Sequence, residues 1–183
     1  MHAFKKLFYA FLCASLLTAA LGIQPAYAAS IVVNTNADTV ANDGACTLRE
    51  AITNANADNQ SGSTDCAAGA GADVITFAAN YTITLVGSQL PAIASTITIT
   101  GNGAANTIIQ ADPLPNTATY RVLEVNATGN LTLASLTVRN GRCNGSCATA
   151  VPFSPDRFNG GGMYNAGTAT LTNVTFSANS ADF

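Results

Sequence analysis

The chain has 183 residues, of which 48% are hydrophobic and 9% charged, and a formal net charge of −3. An apolar share that large excludes a disordered tail despite the scarcity of charge. The acidic balance excludes a nucleic-acid binder, because that affinity comes mostly from cationic side chains that neutralise phosphates.

Residues 1–28 read as a secretory signal peptide. Lys5 and Lys6 form its charged start, Leu7 to Ile23 its apolar run, and Ala26-Tyr27-Ala28 a small-x-small cleavage site. Ser15, Thr18 and Gly22 interrupt the run, which argues against a retained membrane anchor, and Leu12 ahead of Cys13 argues against lipid attachment. Cleavage removes both lysines, His2 and Cys13. About 155 residues remain, enough for one domain with its own core. Their cations are Arg49, Arg121, Arg139, Arg142 and Arg157 against ten carboxylates, a net charge of −5, and no membrane-spanning segment is left.

Four cysteines also remain: Cys46, Cys66, Cys143 and Cys147. An even count in an exported chain predicts disulfides, and proximity favours Cys46 with Cys66 and Cys143 with Cys147, although three connectivities exist. A tetrahedral metal site is the weaker reading, since no histidine accompanies them.

Residues 29–73 read as an N-terminal cap region. Ser30 to Asn34 is a short β-type run, followed by a turn-rich stretch to Gly44. Within it Asp38, Asn42 and Asp43 could offer oxygen ligands to Ca²⁺, but their spacing matches no defined calcium loop, and no other cofactor is indicated. Thr47 and Glu50 then form a capping box, with Leu48, Ala51, Ile52 and Ala55 as one apolar stripe of a short helix. Glu50 is assigned to that box, and Arg49 to backbone carbonyls or a carboxylate at the end of the structure. The Gly-, Ser- and Asn-rich loop from Asp58 to Asp73 carries Cys66 back to the helix.

From Val74 to the end, residues 74–183, short β-type runs alternate apolar residues with Thr or Ser, so each buries one face. The runs are 74–77, 82–85, 96–100, 107–110, 121–125, 130–133, 136–139, 168–171 and 174–177. The segment 131–140 superimposes on 169–178 with a shift of 38, placing Leu133 on Leu171, Leu136 on Val174 and Val138 on Phe176. Ile97 and Ile99 make a weaker third copy. Very short strands in repeats joined by tight turns predict an all-β parallel β-helix (solenoid) with a short N-terminal capping helix. A β-sandwich is the alternative, but 133–136 and 171–174 look like corners between faces, not hairpins.

These residues carry a family resemblance. Cys46-Thr-Leu-Arg-Glu-Ala-Ile52 with Asn54-Ala-Asn56 resembles the CSLREA N-terminal domain of exported bacterial proteins, Thr47 standing where Ser is usual. Gly160-Gly-Gly-Met-Tyr-Asn165 and Phe176-Ser-Ala-Asn179 are similar to the GGA(I/L/V) and FxxN motifs of polymorphic outer-membrane protein repeats, with Gly162 and Met163 in the variable positions. The resemblance implies a right-handed parallel β-helix on a secreted, cell-surface or outer-membrane protein of the adhesin or passenger type. In those terms Phe176 is a core side chain, Asn179 bonds within a turn, and Gly160, Gly161 and Gly162 supply a tight bend. A phosphate-cradling role for the glycines would need a following helix, and a strand follows.

The functional expectation is a non-catalytic module that serves as a rigid scaffold or binding surface for a protein or glycan partner. The loop of residues 142–159 is its first candidate contact surface. The alternative is a carbohydrate-active lyase or hydrolase, which needs carboxylates clustered on one face, or a base with bound calcium. The coils offer only Glu124 and Asp112, with Arg121 and Arg139 on separate runs. A solenoid ending at Phe183 would leave its last strand bare, which predicts further C-terminal repeats or an anchoring domain.

Overall fold

A computed structural model describes residues 27–144, 147 and 160–182. Residues 1–26, within the segment read as a signal peptide, and most of the 142–159 loop, including Pro152, Phe153, Pro155 and Phe158, lie outside the described residues.

The protein is mostly strands with one helix, as expected of the all-β class. In chain order these are β1 (Ser30–Val33), α1 (Leu48–Ala57), β2 (Asp73–Phe77), β3 (Tyr81–Thr84), β4 (Thr96–Thr100) and β5 (Thr107–Gln110). β6 (Leu123–Val125), β7 (Asn130–Arg139), β8 (Arg142–Asn144), β9 (Met163–Asn165), β10 (Thr168–Ser177) and β11 (Ser180–Asp182) follow. Seven strands form one curled sheet in the order β1-β2-β4-β7-β5-β3, with β10 on β7, while β6 pairs β9 and β8 pairs β11. All of these pairings are parallel, so the hairpins a sandwich would use do not occur among the described strands.

Two predicted pairs of runs each merge into one long strand that turns a corner. The first half of β7 pairs with β4 through Asn130 to Ala134, and its second half with β5 through Thr137 to Arg139. Between them Ser135 adopts a left-handed conformation (φ 55°), and Asn173 does the same in β10 (φ 54°). The same pairing recurs at the strand ends, Asn140 (φ 58°) matching Ala178 (φ 50°). Left-handed backbone costs an L-residue roughly 1 kcal/mol. Its recurrence at matched positions therefore marks bends built into the fold.

The core follows from the register. Ile31 lies beside Ile75, Ile75 beside Ile99, Ile99 beside Leu133 and Leu133 beside Leu171, forming one apolar column. A second runs Ile83, Ile109, Val138, Phe176. Every member but the last of each column is fully buried, and such a side chain contributes about 1.5–3 kcal/mol. β1, assigned by sequence to the cap region, is thus the first member of the same sheet.

Helix α1 packs on β1, β2 and β4. Leu48, Ala51, Ile52 and Ala55 are fully buried, the stripe that the sequence spacing predicts. The capping box is present: Glu50 N–H donates to Thr47 Oγ1 at 3.3 Å and Thr47 N–H to Glu50 Oε2 at 2.9 Å. The helix stops at Asp58, which is left-handed (φ 51°).

Candidate functional site

The segment around α1 is held together by charge and sulfur. Arg49 Nε and Nη2 donate to the two oxygens of Asp38 at 2.9 and 2.7 Å, and the same guanidinium reaches the carbonyls of Gln89 and Ser88 at 2.8 and 3.0 Å. Arg49 therefore bonds both a carboxylate and backbone, tying the helix to the 86–89 segment. Glu50 also accepts from Ala41 N–H at 2.8 Å, which folds the turn-rich stretch onto the helix. Cys46 and Cys66 form a disulfide that closes the loop behind α1.

The three oxygens suggested for calcium are engaged separately. Asp38 serves Arg49 and the Val86 N–H, Asn42 Oδ1 accepts from Ser63 and Thr64, and Asp43 Oδ1 accepts from Ala45 N–H. Among the described residues no group of three or more His, Cys, Asp or Glu side chains is placed to hold a metal ion.

The glycine and Phe-x-x-Asn motifs meet in space. A side chain at Gly162 would collide with Asn179 and Phe176. Gly161 lies between the carbonyls of Gly141 and Ser180, so neither position admits a Cβ. Only Gly160 needs glycine for its backbone (φ 68°). The carbonyls of Gly161 and Gly162 accept from Val122 and Leu123 N–H, both at 3.1 Å, so the glycines seat the returning chain beside β6. Two expectations need correction. Asn179 does not bond within its own turn: its Nδ2 donates to Val138 O at 3.1 Å and its Oδ1 accepts from Gly141 N–H at 2.9 Å, both on the adjacent layer. Phe176 is in the column of Val138 but 39% exposed, because β10 is the outermost strand described.

The densest cluster of chemistry surrounds Arg121, which sequence reading left isolated. Its side chain is fully buried. Nη2 donates to the Cys147 carbonyl at 2.7 Å and lies 3.8 Å from Cys143 Sγ. Nη1 is 3.7 Å from Glu124 Oε2, and the guanidinium carbon sits 4.9 Å from the centroid of the Tyr164 ring. Gln89 Nε2 donates to the same Glu124 oxygen at 2.7 Å. Arg121 Nε and Nη1 make no hydrogen bond. Cys143 and Cys147 are not joined by the expected disulfide: both are buried thiols, and Cys147 Sγ lies 3.7 Å from the carbonyl of Arg142, the residue next to Cys143. A single nitrogen of Arg121, Nη2, thus contacts the Cys147 main chain and the Cys143 sulfur at once. Burial first, and contact with Cys143 next, push the Cys147 thiol up to about 11, with Arg121 pulling the other way.

The other candidates for carbohydrate chemistry stand apart. Asp112 accepts from Leu114 N–H in its own turn at 2.9 Å. Arg139 Nε donates to Gln110 Oε1 at 2.8 Å, and Gln110 Nε2 to Thr84 Oγ1 at 2.8 Å, a polar row across β7, β5 and β3. The structure thus unites Arg121 with Glu124 but not with Asp112 or Arg139. No family model, curated protein or solved structure matches the chain.

Proposed function

We propose that the protein is a non-catalytic secreted or cell-surface module, a right-handed parallel β-helix closed at one end by a CSLREA-type cap and presenting a rigid binding face to a protein or glycan. The observation that carries the reading is the pair of in-register apolar columns with left-handed corners repeating at matched positions, covered on one side by a stapled helix. Repetition of this kind supports a stacked solenoid, whose side surface is long, regular and stiff. Export is read from residues 1–28. Among the described residues no helix is long and apolar enough to cross a membrane.

The enzyme alternative is disfavoured by burial. Arg121 and Glu124 form a carboxylate–cation pair among the described residues of the repeat region, and both are closed to a polymer substrate. The deciding experiment incubates the mature protein with a panel of acidic and neutral polysaccharides and follows reducing ends and unsaturated products. No turnover is expected. Cleavage that disappears in Glu124→Gln would replace this reading with the lyase or hydrolase one. Mass spectrometry of the exported fraction should find an N-terminus at Ala29, and full-length protein confined to the cytoplasm would refute the export reading.

A further inference from the structure

We propose that Cys143 and Cys147 are an oxidation site, a second disulfide that closes and opens reversibly, with Arg121 as the residue that positions the two sulfurs. The site stands independently of the surface-module reading. The two cysteines are separated by three residues and are both buried, and Cys147 Sγ lies 3.7 Å from the carbonyl of Arg142, the residue that precedes Cys143. Arg121 Nη2 holds the Cys147 carbonyl at 2.7 Å while lying 3.8 Å from Cys143 Sγ. One nitrogen therefore fixes the main chain of the first cysteine beside the sulfur of the second. Cys147 Sγ is also 3.9 Å from Thr119 O.

A guanidinium buried with two of its nitrogens unbonded costs free energy. Its charge offsets part of the burial that holds the Cys147 thiol protonated, so exchange through the thiolate runs slowly near neutral pH and faster as the pH rises. The oxidant is a disulfide, either a small molecule or an oxidised dithiol protein. One cysteine thiolate attacks a sulfur of the oxidant, whose S–S bond breaks and releases one thiolate. The second cysteine thiolate then attacks the mixed disulfide on the protein sulfur and expels the other thiolate. Two electrons pass to the oxidant, and the two protons lost by the cysteines end on the released thiols.

The resulting bond is weaker than Cys46–Cys66. The contacts that the Cys147 thiol makes with Arg142 O and Thr119 O exist only in the reduced form, because a disulfide sulfur has no proton to donate. Stabilising the reduced form raises the reduction potential, and a bond with a higher potential opens first.

The exported full chain allows a direct test. Its mature part lacks lysine, so trypsin cuts after arginine and releases residues 143–157 as one peptide with both cysteines, whereas a Cys46–Cys66 bridge joins two peptides. Folded protein is equilibrated in glutathione buffers of graded potential, alkylated, digested and weighed. The expected result is a 143–157 peptide two hydrogens lighter in oxidising buffer, returning to the dithiol at potentials where Cys46–Cys66 remains closed. Arg121→Met should slow closure about tenfold, and Arg121→Lys, which keeps the charge, should recover part of the loss. If Arg121→Met does not fold, the titration of the unaltered protein decides alone. Three results overturn the proposal: glutathione adducts without an internal bond, closure only after unfolding, or a 143–157 bond that outlasts Cys46–Cys66 in reducing buffer.

Discussion

Replacing Asp38 with alanine should remove about 4 kcal/mol of stability. Its side chain is fully buried and accepts three hydrogen bonds, two from Arg49 and one from Val86 N–H at 2.8 Å. Removing one partner of a buried ion pair costs about 3–5 kcal/mol, because the other charge is left uncompensated. Arg49 is 14% exposed and keeps the carbonyls of Ser88 and Gln89, which places its part near the lower figure, about 3 kcal/mol. The orphaned Val86 N–H adds about 1 kcal/mol. Against a total of about 5–15 kcal/mol for a domain, that loss is severe. Arg49→Ala should cost a similar amount by stranding Asp38. The double variant should cost less than the two singles together, with a coupling of about 2 kcal/mol. Urea unfolding followed by far-UV circular dichroism measures all four species, at low and high salt. A coupling under about 0.5 kcal/mol, or one abolished by salt, would refute the reasoning, since both outcomes describe a screened surface pair.

The double variant Cys46→Ala/Cys66→Ala should lose about 3 kcal/mol in the same assay, the chain-entropy value for a bridge spanning 20 residues. Gly161→Ala would press a methyl group into the carbonyls of Ser180 and Gly141, and a loss of about 3 kcal/mol or failure to fold is expected in thermal unfolding. Ser135→Asn should stay within about 0.5 kcal/mol of the parent, because Asn173 holds the equivalent corner at the same φ, while Ser135→Val should lose about 1–2 kcal/mol. In the reduced, folded protein, alkylation of Cys147 should accelerate about tenfold per pH unit above neutrality and level off near 11, where burial has moved its thiol. A rate that levels off near the ordinary value of 9.0 would show the thiol to be solvated.

Local chemistry was legible in the sequence, and contacts between layers were not. Thr47 and Glu50 lie three residues apart, so their reciprocal hydrogen bonds need no knowledge of the fold. The apolar columns are harder to read because the spacing changes along the chain. Ile75 to Ile99 is 24 residues, Ile99 to Leu133 is 34 and Leu133 to Leu171 is 38. Only the last two copies share enough neighbouring residues to superimpose. The Thr84, Gln110 and Arg139 row is invisible for the same reason, since its members are set side by side by register alone. Arg121 and Glu124 were missed for another reason. A β-run from 121 to 125 would send them to opposite faces, but β6 begins only at Leu123, and the irregular backbone before it lets both side chains turn inward. The available clue was an arginine with a glutamate three positions on in a run otherwise rich in buried apolar residues.

The columns also account for an unequal distribution of stability. Leu133 and Leu171 are adjacent in register and chemically identical, yet the first is fully buried and the second 46% exposed. The difference is the number of paired neighbours: β7 lies between β4 or β5 on one side and β10 on the other, whereas among the described strands β10 pairs with β7 alone. Where parallel strands add one to the next, stability is close to a sum over neighbouring pairs, so among the described strands β10 is held by one pairing where β7 is held on both sides. At the other side α1 packs across β1, β2 and β4 and is itself fixed by the Cys46–Cys66 bridge and the Arg49–Asp38 pair. In the 183-residue polypeptide taken by itself, opening under native conditions should therefore begin at β10 and β11 and reach the helix last. The Arg121 cluster lies near the weakly held side, since β8 pairs with β11 and carries Cys143. A bond between Cys143 and Cys147 would fasten the chain where the apolar columns hold it least.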